Sequence, residues 1–104
     1  MQALQNQVRE FVKERNWRKF HSPRNLAAAI SVEAAELLDI FKWSTSQDSA
    51  PENAAAIKDE VADVIIYCLS LCNRVDIDAA EAVEAKIAKN AEKYPVERYK
   101  GRWQ

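Results

Sequence analysis

Apolar residues recur at helical spacing in four segments of the chain, each bounded by turn or capping signals. In residues 2–15, Leu4, Val8, Phe11 and Val12 share one side and charged residues occupy the rest. The stretch NWRKFHSPR breaks the pattern, and its end supplies a start signal. Ser22 is a good N-cap, and Pro23 has the fixed φ suited to a first helical turn, so a second helix is predicted over residues 23–43. The polar segment STSQDSAP follows. Ser49 and Glu52 stand at capping-box spacing, which predicts a third helix over residues 50–73 with Pro51 in its first turn. Asp78 and Glu81 repeat the device ahead of a fourth helix over residues 79–94. That helix has to stop before Pro95, because proline disfavours helical geometry in the preceding residue. The pattern predicts one domain over residues 1–96 and a tail over residues 97–104.

Four helices with short connections predict an all-α, four-helix bundle-like fold centred on the long second and third helices. Both are apolar nearly all round; between Val61 and Cys72 the only charge is Asp63. Such a helix must be covered on more than one side, and a chain of 104 residues has little else to cover it with. A homo-oligomer with these helices in its interface is expected. A central helix inside a monomeric bundle is the simpler alternative.

Two carboxylate pairs break the apolar pattern in the same way. At about 100° per residue, Leu26, Ile30, Ile40 and Phe41 lie within about 60° of Leu37; Glu33 falls inside that stripe at about 40°, and Glu36 on its edge at about 100°. In the third helix Ile57, Val61, Cys68 and Leu71 lie within about 60° of Val64, and Glu60 and Asp63 take the same two offsets. If the helices pack side by side, the four acids share a pocket. Buried carboxylates must be protonated, paired or bound to a cation. No arginine lies within a turn of either pair on the same side, and Lys42 and Lys58 lie toward other faces. Oxygen-only ligands suit a hard divalent cation, Mg²⁺ or Mn²⁺, and disfavour zinc, while the Glu-x-x-His ligands of di-iron bundles are missing. The simpler alternative, glutamates curling out to solvent, is weakened by two pairs in matched register. Mg²⁺ held by carboxylates keeps waters and takes substrate phosphates, so phosphate chemistry is the expectation, with a metal-activated water attacking phosphorus.

Composition narrows the picture further. A single glycine and the lack of alternating β-branched runs agree with an all-helical chain. Fifteen basic and sixteen acidic residues leave a formal charge of −1, which excludes the field needed for non-specific binding to a nucleic-acid polymer; any phosphate recognition is local. The absence of a signal pattern and of a membrane-spanning run predicts a cytoplasmic protein. Cys68 and Cys72, four apart in an apolar run, are expected to be reduced, packed thiols.

Several groups could hold a substrate. In the fourth helix Val83, Ile87 and Tyr94 mark the apolar stripe, with Asn90 inside it and Lys86 on its edge, an amide and an ammonium one turn apart that could meet an anion. A snorkelling lysine and a satisfied core asparagine explain them equally well. WRKFHSPR interleaves Trp17 and Phe20 with Arg18, Lys19, His21 and Arg24, so rings could stack on a base while cations face phosphates. Alternatively Phe20 staples the helix start and His21 is a surface or capping residue. Trp43 is either core or base platform, and Tyr67, a turn beyond Asp63, lies on the acid side of its helix.

Glu33-x-x-Glu36, a 23-residue spacer and Glu60-x-x-Asp63 resemble the metal-binding pattern of the MazG-type, all-α nucleoside triphosphate pyrophosphohydrolases. WRKFHSPRNLAAAISVEAAELLDIFKW, DEVADVIIYCLSL and KIAKNAEKYPV extend the resemblance to the small single-domain branch, which includes the dCTP pyrophosphatases and integron-type MazG proteins. The resemblance implies a homotetramer built as a dimer of dimers, Mg²⁺ dependence, and hydrolysis of dCTP or a related or modified dNTP to monophosphate and pyrophosphate, a house-cleaning of the nucleotide pool. It implies that Glu33, Glu36, Glu60 and Asp63 are metal ligands and catalytic residues; the sequence does not single out which of them orients the water, and Glu36 is our choice for that role. Trp17, His21, Trp43 and Tyr67 would surround the nucleoside, Lys86 and Asn90 would stand near the phosphates, and Arg98 or Arg102 would help neutralise the leaving group. The chain departs from the animal dCTP pyrophosphatases in carrying Val8 where they have a first-helix histidine, which loosens the inference about the base. A dUTP-preferring or phosphoribosyl-ATP-type hydrolase is the enzymatic alternative; a non-catalytic nucleotide- or cation-binding helical oligomer is the other.

Overall fold

The computed structural model describes residues 1–42 and 53–101, and among these every regular element is helical. In order they are α1 (Gln2–Glu14), a 3₁₀ turn (Arg18–Phe20), α2 (Pro23–Asp39), α3 (Ala54–Arg74), α4 (Ala79–Lys93) and the single turn α5 (Val96–Tyr99). Trp43, the Ser49/Glu52 pair and Arg102 lie outside the described residues.

Local chemistry accounts for most boundaries. The Ser22 hydroxyl accepts from the Asn25 amide at 3.1 Å, and the Asn25 side chain donates to the Phe20 carbonyl at 3.2 Å, tying the 3₁₀ turn to the start of α2. The Asp78 carboxylate accepts from the Glu81 amide at 3.2 Å and caps α4. α2 is shorter than its periodicity predicts. After Asp39 the bonds tighten to Ile40, Phe41 and Lys42 reaching back three residues, the usual way a helix end satisfies its last carbonyls. α1 closes with Asn16 at φ 53°, its amide bonded to Lys13 and that of Trp17 to Val12, a Schellman motif. Asp76, at φ 59°, serves the same purpose after α3, with the Ile77 amide on the Cys72 carbonyl. Asn and Asp tolerate this left-handed geometry better than other residues with a Cβ. The predicted tail begins as α5, whose Tyr99 ring meets Tyr94 edge-on at 5.1 Å.

α2 and α3 form the main helix pair, α1 lies against α3, and α4 against α1. The expected stripes of the central pair are observed except at Val61, which is 38% exposed. Leu26 is fully buried, and Ile30, Leu37, Ile57, Val64 and Leu71 are half-buried. The stripe of α1 is rotated from the expected one: Leu4 and Phe11 are exposed, and the residue driven into the protein is Gln5, 2% exposed. Its side chain donates to Asn73 Oδ1 at 3.1 Å and to the Ile77 carbonyl at 3.0 Å, and accepts from the Ala79 amide at 2.9 Å. Asn73 returns a bond to the Gln5 carbonyl at 3.0 Å. This amide bracket satisfies the turn between α3 and α4, including an orphan donor at the α4 N-terminus, from inside the protein.

Little else is deeply buried. Leu26, Leu69 and Ala79 are the apolar residues fully buried among those described, and residues 81–94 of the α4 region are exposed throughout. The radius of gyration is 16.7 Å, against about 13 Å for a close-packed chain of this length. Leu38, Val32, Ile65, Ile66, Val83 and Ile87 remain exposed, so one chain leaves broad apolar faces on α2, α3 and α4 uncovered. No helix among the described residues is long and apolar enough to cross a membrane.

Candidate active site

The pairing of α2 with α3 brings the two acidic motifs together. Glu33, Glu36 and Glu60 each place a carboxylate oxygen within 4.8 Å of the others. Glu33 and Glu60, from inside the stripes, are half-buried, and each has its Oε2 sealed from solvent with no hydrogen-bond partner. Glu36 and Asp63, from the edges, are exposed. Proximity to the Glu36 side chain, then burial, then the charges of Glu36 and Asp63 raise the pKa of Glu33 from 4.5 to about 7. Burial and the charge of Glu36 also raise Glu60. Every charged group that raises these two values is another acid.

That arrangement fits a hard divalent cation. Orphaned, buried carboxylate oxygens a few ångströms apart are costly in the bare protein, and the donor set is oxygen only. Glu33, Glu36 and Glu60 are the residues placed to hold it, and Asp63 is near enough for its charge to reach Glu33 and Glu60.

The other expected site residues are spread more widely. Tyr67, half-buried, stands one turn beyond Asp63 on α3. Trp17, 43% exposed, leans edge-on against Phe11 at 5.7 Å, and the Arg15 guanidinium lies 3.6 Å over the Phe11 ring. Lys86 and Asn90 sit on the exposed α4, whose main packing is on α1. Cys68 and Cys72 are free, half-buried thiols; burial pushes that of Cys72 up, away from reactivity.

His21 is half-buried and lines a cavity of about 350 Å³ between α1, the 3₁₀ turn and the C-terminal end of α3. Arg9, Lys13, Arg18 and Arg74 contribute to the same wall. Arg18 and His21 stand out in the sequence as members of one basic stretch, whereas Arg9, Lys13 and Arg74 are scattered along two helices and carry no such signal. Only the crossing of α1 over α3 gathers them.

Fold and site together define an all-helical protein that pools unpaired carboxylates between two packed helices. It belongs to the MazG-like family, whose model matches residues 28–103. dCTP pyrophosphatase 1 of Mus musculus is 37% identical over 97 residues, covering 88% of this chain and 57% of the relative. The Homo sapiens protein of that name is 40% identical over 91 residues, covering 83% and 54%. The chain thus spans a little over half the length of these curated relatives. A crystal structure of a pyrophosphatase from Archaeoglobus fulgidus matches with a TM-score of 0.83 and 44% identity, over 91% of this chain and 92% of that one.

Proposed function

We propose that the protein is a divalent-cation-dependent nucleoside triphosphate pyrophosphohydrolase that converts dCTP, or a related or modified dNTP, to the monophosphate and pyrophosphate. The observation that carries this is the cluster of Glu33, Glu36 and Glu60, with two sealed oxygens that have no hydrogen-bond partner among the described residues. The likeness to proteins named dCTP pyrophosphatase supports the substrate class.

Mg²⁺, or Mn²⁺, when bound would offset the carboxylate charge and polarise the phosphate oxygens. Glu33 and Glu60, held inside the helix pair, supply the fixed ligands, and Asp63 adds negative charge at the rim. Glu36 is exposed, so its carboxylate can reach a water and take its proton as the oxygen attacks phosphorus. Tyr67 and Trp17, with Trp43, frame the nucleoside. Lys86, Asn90 and Arg98 stabilise the charge of the departing pyrophosphate. α4 packs mainly on α1 and stays exposed along its length, so we also propose a homo-oligomer, a tetramer, in which assembly covers the apolar faces and completes the site.

Incubating the pure protein with Mg²⁺ and a panel of dNTPs, and identifying the products, tests the reading. Monophosphate with pyrophosphate, abolished by Glu36→Gln and by Glu60→Gln, is expected. Release of orthophosphate would indicate another phosphohydrolase, and full activity in either variant would overturn the site assignment. Absence of turnover with retained cation binding would favour a non-catalytic binding protein.

A further inference from the structure

The cavity between α1, the 3₁₀ turn and α3 is chemically the opposite of the carboxylate cluster. Arg9 and Lys13 from α1, Arg18 from the 3₁₀ turn and Arg74 from the end of α3 converge on it, and among the described residues no carboxylate lines it. This happens in a chain whose formal charge is −1, so the convergence is a property of the fold and not of composition. Cations gathered around one concavity repel each other and draw in an anion. One of them is held in advance. The Arg9 guanidinium donates to Asn6 Oδ1 and Asn73 Oδ1, both at 3.0 Å. These amide oxygens orient the guanidinium without cancelling its charge, and Asn73 is itself fixed by the buried Gln5. An arginine held in this way loses little freedom on meeting an oxyanion.

Size and position separate this cavity from the proposed reaction centre. At about 350 Å³ it is larger than a lone ion needs and falls in the range of small-ligand sites. Its α3 residues, Ser70 to Arg74, lie roughly 10 to 20 Å along the helix axis from Glu60 and Asp63.

We propose that the cavity is a second, cation-independent anion site that takes a phosphate-class ligand. The ligand is either free pyrophosphate, the product of the proposed reaction, or the phosphate of a nucleoside monophosphate. The test uses the full chain freed of divalent metal on a chelating resin, where the carboxylate cluster repels anions. Inorganic pyrophosphate and dCMP are titrated separately by calorimetry. Saturable binding of at least one is expected, weakened about tenfold or more in Lys13→Gln/Arg74→Gln and unchanged in Glu60→Gln. Tighter binding of pyrophosphate identifies a product site, and tighter binding of dCMP a second nucleotide site. No saturable binding, equal affinity in the double variant, or loss of binding in Glu60→Gln overturns the proposal. If circular dichroism shows the double variant unfolded, Arg18→Gln alone replaces it, with the same direction expected. Because no metal is present, the result is independent of whether the protein turns over nucleotides.

Discussion

Glu33 illustrates what a single residue costs and what it makes available. Its folded-state pKa of about 7 stands above the ordinary 4.5, so between those values the folded, metal-free protein holds a proton that the unfolded chain has released. Stability linked to this group is therefore full below about pH 4.5 and is lost as pH rises through about 7; Glu60, also raised, adds in the same direction. A divalent cation competes with that proton. The gain in melting temperature on adding Mg²⁺ should grow between about pH 6 and about pH 8, read by thermal scans with and without the cation. A gain independent of pH would mean that the cation does not bind at these carboxylates. Gln5 is the second instructive residue. Gln5→Leu keeps the bulk but strands the Ile77 carbonyl and the Ala79 amide, while Asn73 keeps its bonds with Arg9 and the residue-5 carbonyl, and is expected to cost about 1–3 kcal/mol in urea denaturation. Its role escapes the sequence because a glutamine beside an apolar stripe reads as surface; its partners are more than sixty residues away.

At the level of elements, starts and stops were largely legible because they depend on neighbours within one turn. Ser22 and Asp78 cap as their spacing predicts, and α4 ends before Pro95. Ser22→Ala should cost about 1 kcal/mol, a fall in melting temperature of about 4–8 °C, whereas Ser22→Gly should cost only a few tenths of that energy. The misses have a common cause. Periodicity located a stripe on α1 but not its rotation, since Leu4 and Phe11 had been counted inward and the packing against α3 selects Gln5, Val8 and Val12. The end of α2 came early because the wheel extends an apolar stripe for as long as suitable residues continue, and it carries no information about where backbone bonds shorten. In α4 the stripe of Val83, Ile87 and Tyr94 is real as a pattern, yet the packing of α4 on α1 leaves all three exposed.

For the whole molecule, the extended shape and the uncovered faces argue for assembly. Light scattering after size exclusion should give a mass near four times that of the 11.9 kDa chain. Ile66→Glu, which places a charge on an exposed apolar face of α3, should lower that mass and reduce turnover together. A monomer with full activity would show that one chain completes its own site.

The sequence by itself determined the helical class, the capped starts of α2 and α4, and the matched offsets of two acid pairs on two apolar helices. All of these follow from backbone geometry repeated every few residues. Tertiary structure alone decided that the two pairs meet, because the rotation of one helix against another is set by contacts between residues far apart in the chain. For the same reason it alone buried Gln5 and gathered Arg9, Lys13, Arg18 and Arg74 around one cavity.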